Sequence, residues 1–217
     1  MDTRFLIIGD SYVRRLKEYC VRQESVVAVG RQPKDCNLHL DNVSVSWYGE
    51  GGGCILPQQR GTLSRKYIPG MDLQRWLQSH HRHHIAIIQL GSNDLGFHHV
   101  SACDIVESTI SFANSLLAQG FERVILSEPA YRFYSLPRRG CVNASIFNAK
   151  TISLREELDI ACRGLYAIDY VHAARLRRNG PAMYLRDGIH YNERGNAVFY
   201  GHIRGIVHRA RVDRSGR

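Results

Sequence analysis

Four short segments of the chain carry residue types that together could transfer an acyl group. They place a serine, a glycine cluster, an asparagine and an Asp/His pair in residues 9–11, 49–53, 91–94 and 187–190. Acyl transfer near neutral pH needs a hydroxyl nucleophile, a base that takes its proton, and hydrogen-bond donors for the oxyanion that forms. Each of these requirements has a candidate in one of the four segments.

The first and last segments offer a nucleophile and a base. Ser11 follows an apolar run and opens a helix-like one, where free N–H groups and a positive dipole favour an oxyanion. Asp187 precedes His190 by three residues, so a tight loop could return its carboxylate to Nδ1–H and direct Nε2 at a serine. Taken singly, each segment has a simpler interpretation. Asp10 and Ser11 are favoured helix caps, and an Asp and a His are common on surfaces.

The two middle segments offer oxyanion donors. Residues 49–53 read Gly-Glu-Gly-Gly-Gly, and glycine lets a backbone N–H approach a ligand closely. The side-chain amide of Asn93 could donate a second N–H. A dinucleotide fingerprint would need a glycine where Cys54 stands, and no GxxxxGK[ST] phosphate loop occurs. For both segments a plain turn is the alternative, since their residues are all turn formers.

These segments are placed by alternating strand-like and helix-like runs. Short apolar runs predict five strands at residues 5–8, 43–48, 85–90, 124–127 and 165–169. Longer amphipathic runs predict helices at 12–22, 72–81, 104–119, 144–162 and 193–209, and residues 26–29 are either a small extra strand or a loop. This alternation predicts an α/β fold with a mostly parallel five-stranded sheet covered on both faces. Sites in such sheets lie beyond the carboxyl ends of the strands, and three of the four segments directly follow a strand.

With the four segments in this order, the sequence resembles the SGNH (GDSL-type) hydrolase family. The matching blocks are Gly9-Asp10-Ser11, the glycine cluster, Gly91-Ser92-Asn93-Asp94 and Asp187-Gly188-Ile189-His190, and they span nearly the whole chain. The resemblance implies a flavodoxin-like three-layer α/β/α sandwich. It also implies that Ser11 is the nucleophile, that His190 is the general base and acid, and that Asp187 orients His190. The GxSxG elbow of the other common serine hydrolase fold is absent.

The same resemblance implies an oxyanion hole made by the Ser11 N–H, the Asn93 side chain and one glycine N–H. Alignment of residues 52–55 with the family's turn into a helix selects Gly52, with Gly51 as the next choice. Alignment on the end of the strand selects Gly49 instead. The implied reaction needs no cofactor and no metal.

Several further residues are candidates for the substrate cleft. Asp10 precedes the nucleophile, His98 follows the third segment, and Tyr131 and Arg132 follow the fourth strand on the site side of the sheet. Residues 131–139 are aromatic and basic, which fits a lid or a contact for an anionic or lipid headgroup, with a solvated loop as the alternative. The histidine tract at 80–84 has no adjoining carboxylate or thiol, and we interpret it as a loop rather than a metal site.

The leading functional hypothesis is a serine esterase that hydrolyses a small-molecule or lipid ester, with an acetyl or longer acyl group. The alternative comes from charge. The net charge is +9, and 25 of the 29 basic residues are arginines, which favours an anionic partner such as nucleic acid or a phospholipid headgroup. Compact basic SGNH domains also occur in retroelement-encoded proteins. The chain could therefore be a binding module of a nucleic-acid-associated protein with secondary or no esterase activity.

Length and composition set the remaining expectations. The chain has 217 residues, which suits one domain; we expect a domain over residues 1–210 and a disordered basic tail over 211–217. Four apolar residues at 5–8 are too few for a signal peptide, and no apolar run approaches the ~20 residues of a membrane helix. The six cysteines are spread without CxxC spacing and are expected to be free thiols. Together these features predict an intracellular protein of the cytoplasm or nucleus.

Overall fold

A computed structural model describes residues 2–27, 37–57, 66–80, 82–133, 141–173, 176 and 180–215. The main sheet has five parallel strands in the order β2-β1-β5-β6-β7. Their bounds are β1 Thr3–Gly9, β2 Val43–Gly49, β5 Ile85–Gln89, β6 Arg123–Ser127 and β7 Ile168–Val171. Two short strands, β3 Gly53–Cys54 and β4 Lys66–Tyr67, pair beside it. The helices are α1 Ser11–Val27, α2 Met71–Ser79, α3 Ala102–Ala118, α4 Ala144–Cys162 and α5 Glu193–Ser215.

The strand order is that of a doubly wound sheet, and it confirms the predicted α/β architecture. Counted along the chain, the five strands of the main sheet lie in the order 2-1-3-4-5, which is the flavodoxin-like arrangement. Gly9 at the end of β1 is in register with Gly49 of β2 and Gln89 of β5. The loops that follow these three strands therefore leave the sheet side by side at one edge.

Strands β1 and β5 are buried on both faces, which explains why they are apolar without a clear alternation, whereas the edge strand β2 alternates buried and partly exposed residues. Phe5 and Ile7 of β1 pack in one core with side chains of α1 and α5, whereas Leu6 and Ile8 pack in a second core with α3 and α4. Helices thus form the outer layers on both sides. The sheet between them is a rigid platform for the loops at its edge.

The C-terminal helix corrects one expectation. Helix α5 continues past residue 209 to Ser215, where a disordered tail from residue 211 was expected. Its last turns are held by specific contacts: Arg211 donates to the Asp41 carbonyl oxygen at 2.6 Å, and Arg214 donates twice to the Glu122 carboxylate, at 2.8 and 3.1 Å. The basic residues of this segment therefore act as anchors. None of the described helices is both long enough and apolar enough to span a membrane.

The last strand is also shifted from its predicted position. It was expected at 165–169 and lies at Ile168–Val171, because helix α4 ends in a turn in which Gly164 has a φ of +82°. Leu165 and Tyr166 belong to this connection and are exposed. The alternative strand at 26–29 is not present in its described part, since α1 continues through Val27; residues 28 and 29 lie outside the described ranges.

Candidate active site

Ser11 is the first residue of α1 and stands just beyond the carboxyl end of strand β1, which lies between β2 and β5. The turn that places it there is tight: the Asp10 carbonyl oxygen accepts from the Arg14 N–H at 3.1 Å. A side chain at Gly9 would come within 2.7 Å of the Gln89 carbonyl oxygen. Glycine is needed at this position because the strand-to-helix turn passes so close to the neighbouring strand.

The serine, the histidine and the aspartate form one chain of hydrogen bonds. His190 Nε2 lies 3.1 Å from Ser11 Oγ, and His190 Nδ1 lies 2.7 Å from Asp187 Oδ2. All three side chains are at least partly buried. This geometry allows the imidazole to take a proton from the hydroxyl while the carboxylate holds its other nitrogen.

The loop that carries the aspartate and the histidine is folded back on itself, as its spacing suggested. Asp187 Oδ1 accepts from the backbone N–H groups of Ile189 and His190, both at 2.9 Å. Gly188 between them has a φ of +62°, and the Leu185 N–H donates to the His190 carbonyl oxygen at 2.8 Å. The two oxygens of the Asp187 carboxylate therefore have separate roles, since one holds the backbone and the other holds the ring.

Tyr12 joins this loop to the serine turn, and sequence reasoning had missed it. Its backbone N–H donates to Asp10 Oδ1 at 2.9 Å, and its hydroxyl donates to the carbonyl oxygen of Ile189, the residue before His190. Its ring also packs against the ring of Tyr191, with 5.1 Å between centroids. Periodicity marked Tyr12 only as a residue of the first helix, because no local pattern announces a partner 177 residues away.

Asn93 is brought to the glycine cluster. Its Nδ2 donates to the Gly53 carbonyl oxygen at 3.0 Å. The Glu50 N–H of the cluster donates to Gly9 O at the end of β1, and the Gly53 N–H donates to Glu50 O, both at 3.1 Å. Gly52 has a φ of +73°, a left-handed conformation that glycine adopts without strain.

Asp94, the residue after Asn93, contacts the chain that follows the glycine cluster. Asp94 is buried, and its two carboxylate oxygens accept from the N–H groups of Ile55 and Leu56, both at 3.1 Å. It therefore ties the loop after β5 to the residues that follow the glycine cluster. The sequence pointed to Asp94 as part of a motif and did not indicate this contact.

The surroundings of the site shift the pKa values of three of its groups, His190, Asp187 and Asp10. Burial lowers the pKa of His190 below its ordinary value; the hydrogen bond to Asp187 opposes this effect, and the positive charge of Arg15 adds to it. Burial alone would raise the pKa of Asp187, but hydrogen bonds from the His190 ring and from two backbone N–H groups hold it below its ordinary value. Burial raises the pKa of Asp10 to about 7, although the Tyr12 N–H opposes this rise.

The other cleft candidates divide into two groups. Arg132 lies near the site: its Nη2 donates to the Ser92 carbonyl oxygen at 2.9 Å, and its charge acts on both Asp10 and His190. Tyr131 precedes it on the same segment. His98 is exposed, and its described hydrogen bond links its carbonyl oxygen to Lys150 of α4 rather than to the serine turn. The rest of the expected lid, residues 134–139, lies outside the described ranges.

The histidine tract lies away from this site, before the amino end of β5. His80 stacks on Trp76 with 3.8 Å between ring centroids, and the His83 ring lies between Trp76 and Phe121. His84 Nδ1 accepts from the Arg4 N–H at 3.0 Å. These contacts give three of the tract's histidines a packing role. Over the described ranges, no three His, Cys, Asp or Glu residues are grouped so that they could hold a metal ion.

Comparison with known proteins shows the fold. No protein-family model and no curated protein sequence matches the chain. Among solved structures, Est24, a carbohydrate acetylesterase from Sinorhizobium meliloti, is 16% identical with a TM-score of 0.69 over 96% of this chain and 100% of that one. An aryl esterase from M. smegmatis is 17% identical with a TM-score of 0.66, covering 95% and 98% of the two chains. A lipase/acylhydrolase from Enterococcus faecalis is 15% identical with a TM-score of 0.57, covering 94% and 96%. The chain thus shares, over nearly its whole length, the α/β fold of these three proteins.

Proposed function

We propose that the protein is a serine hydrolase of carboxylic esters, of the SGNH type. The observation that carries the proposal is the hydrogen-bonded chain from Asp187 through His190 to Ser11, placed where the fold opens at the carboxyl ends of its strands. The solved structures that share the fold include proteins described as esterases, which agrees with this chemistry.

The reaction would proceed in two half-reactions. Ser11 Oγ attacks the ester carbonyl carbon while His190 Nε2 accepts the hydroxyl proton. His190 then gives this proton to the departing alcohol oxygen, and the acyl group remains on Ser11 as an ester. Water attacks the acyl-enzyme with His190 again as base, which releases the carboxylic acid and restores the serine. Asp187 keeps its charge throughout and stabilises the imidazolium that forms.

The oxyanion of each tetrahedral intermediate would be bound by the Ser11 N–H, the Asn93 side chain and the Gly52 N–H. Three features favour Gly52 among the glycines. Gly49 is committed to strand β2, and the Asn93 amide touches the adjacent Gly53. Gly52 also has a left-handed backbone conformation, which residues other than glycine rarely adopt. Gly51 remains the alternative donor.

Replacing Asn93 with alanine is expected to lower kcat by about 10²–10³, because loss of one oxyanion-hole donor costs that much in serine hydrolases. KM should change little, since the donor acts mainly on the transition state. The check is steady-state kinetics with p-nitrophenyl acetate, alongside Asn93→Asp, which removes the N–H donor but keeps the size. A loss below threefold in Asn93→Ala would contradict the role of Asn93.

Replacing Tyr12 with phenylalanine is expected to lower kcat by about ten- to a hundredfold, because small displacements of reacting groups have effects of this size. The hydroxyl acts through the Ile189 carbonyl oxygen on the position of His190. Tyr12 is therefore a positioning residue, and its loss should also shift the pH at which activity falls. Tyr19→Phe on the same helix, distant from the loop, is the control. Equal kinetics and equal pH profiles of the two variants would exclude this role.

The pH dependence of kcat/KM is expected to fall off on the acid side below pH 6.5, the ordinary pKa of histidine. Activity needs neutral His190, and the folded protein holds the pKa of this group below its ordinary value. As the pH falls, His190 therefore becomes protonated at a lower pH than an ordinary histidine would. Activity is lost at that lower pH. A pH–rate profile with a neutral ester measures this pKa in the free enzyme. An acid limb centred above about pH 7 would contradict the proposed electrostatics.

The experiment that tests the proposed function is hydrolysis of p-nitrophenyl esters from acetate to palmitate by the wild-type protein and by Ser11→Ala. Turnover that depends on Ser11 is the expected result, and its dependence on chain length reports the depth of the acyl site. Absence of Ser11-dependent turnover on every ester, with both proteins folded, would overturn the proposal for these substrates.

The alternative of a basic nucleic-acid-binding module rests on size and charge alone. In the structure, Arg211 and Arg214 are used to anchor α5, so part of the basic tail is already engaged within the protein. The alternative predicts nucleic-acid binding that weakens steeply as salt rises. A salt titration of binding to RNA and DNA tests it, and it stays a prediction from the sequence.

A further inference from the structure

Two arginines on α1 share a face with Ser11. Arg14 and Arg15 follow Ser11 by three and four residues on the same helix, and residues at these spacings are neighbours on a helix surface. Side chains on a helix lean toward its N-terminus. The first carbons of both side chains are therefore expected to lean toward the serine end of α1.

The two arginines flank the serine on different sides. A Cβ atom at Gly51 would lie 3.4 Å from Arg14 Nη1, so Arg14 covers the glycine cluster. Arg15 lies one helical turn after Ser11, and its positive charge lowers the pKa of His190. Arg15 is half-buried, and its Nε is buried with no hydrogen-bond partner in the described part of the chain.

A second segment brings Arg132 to the same side. Its charge also acts on His190, and the N–H of the next residue, Phe133, donates to the Gly188 carbonyl oxygen at 2.9 Å. Arg132 Nη2 donates to Ser92 O, and its guanidinium lies 4.0 Å from the centre of the Phe147 ring. These contacts hold Arg132 in one orientation.

Acidic side chains also lie around the serine, and most of them bond groups other than the three arginines. Asp187 is bound by the His190 ring and two N–H groups, and Asp94 is bound by two N–H groups of the chain after the glycine cluster. Asp10 is fully buried behind the serine turn. Glu18 lies 3.9 Å from Arg14, with both side chains half exposed or more, and such surface pairs are weak.

We propose that the ester substrate carries an anionic group, a carboxylate or a phosphate, in its alcohol part, and that Arg15 and Arg132 bind it. The inference rests on the proposed function, because His190 gives its proton to the alcohol oxygen and the alcohol therefore lies on the His190 side. A guanidinium is suited to both anions because its N–H donors pair with them bidentately. Arg132 would help to define the place of the anion, and the terminal Nη groups of Arg15 would donate N–H groups to it.

The kinetic test compares 3-acetoxybenzoate with its neutral methyl ester, two acetates with closely similar alcohol parts. The wild-type protein is expected to prefer the anion by about tenfold in kcat/KM, the effect of one charge-assisted hydrogen bond. This preference should shrink as KCl is added. Arg15→Gln should bring the ratio close to one, whereas Arg163→Gln, an exposed arginine after α4, should leave the ratio unchanged. Turnover of both esters with a wild-type ratio of one or less would overturn the inference and leave the esterase proposal intact.

A binding test separates the anion site from the chemistry. The Ser11→Ala protein is expected to keep only a residual rate, and 3-hydroxybenzoate is the alcohol product that the proposed site would hold. Calorimetry is expected to show salt-sensitive binding of 3-hydroxybenzoate that is about tenfold tighter, or more, than binding of 3-hydroxybenzamide. A parallel titration with 3-hydroxyphenyl phosphate distinguishes a phosphate site from a carboxylate site. Equal affinity of the neutral and anionic compounds would overturn the anion site, whatever the outcome with esters.

Discussion

Ser11→Ala is expected to lower kcat for p-nitrophenyl acetate by about 10⁶, the loss seen when the nucleophile of a serine hydrolase is removed. The reason is direct: Oγ is the atom that would form the acyl-enzyme, and His190 Nε2 lies 3.1 Å from it. Backbone donors and bound substrate would still leave a residual rate above that of water. Stopped assays over hours at high protein concentration are needed to measure this remnant.

The control for this prediction is Ser153→Ala, which removes an exposed hydroxyl from α4 where it bonds only Glu157 in the described contacts. It should retain wild-type kinetics. Thermal unfolding of Ser11→Ala should match that of the wild type within a few degrees, because the change removes one oxygen at the surface of the site. A folded Ser11→Ala protein with more than a tenth of wild-type activity would refute Ser11 as the nucleophile.

Asp187→Asn is expected to lower kcat by about 10⁴ while the loop keeps its shape. The asparagine oxygen can still accept from the N–H groups of Ile189 and His190, as Asp187 Oδ1 does at 2.9 Å. Its NH₂ group, however, would face His190 Nδ1 and donate to it. The ring must then carry its proton on Nε2, which faces the serine, and it can no longer accept the proton of Ser11.

The matched control is Asp159→Asn. Asp159 Oδ1 also lies near a histidine, at 3.4 Å from His172 Nε2, but this pair is on the surface. We expect its kinetics to be unchanged. Nitrogen NMR of the imidazole distinguishes the two tautomers, so the cause can be checked as well as the effect. Activity of Asp187→Asn within tenfold of wild type, with the tautomer switched, would show that Asp187 does not act by orienting His190.

The sequence was most informative where local spacing decides the geometry. Asp187 and His190 are only three positions apart in a tight loop, so the carboxylate has few partners within reach other than the ring and the adjacent N–H groups. Strands β1 and β5 were equally predictable, because burial on both faces makes them largely apolar. Ser11 follows from both patterns, since it sits where an apolar run meets an amphipathic one.

Contacts between distant segments were beyond the reach of these patterns. The hydroxyl of Tyr12 meets Ile189, Asp94 meets Ile55, and the Asn93 amide meets Gly53, all across the open edge of the sheet. The composition of the tail was misleading for the same reason. Arg211 and Arg214 look like a solvated basic tail until the loops carrying Asp41 and Glu122 are brought beside them.

The separation of Ser11 from His190 along the chain has a consequence for synthesis. These residues lie 179 positions apart, one after the first strand and the other before the last helix. At the usual rate of about 5–20 residues per second, a ribosome delivers the histidine roughly ten to forty seconds after the serine. Throughout that interval the serine has no base to activate it. Under the proposed function, ester hydrolysis would therefore begin only when the loop that carries His190 has folded beside Ser11, and the nascent chain would not hydrolyse esters before that point.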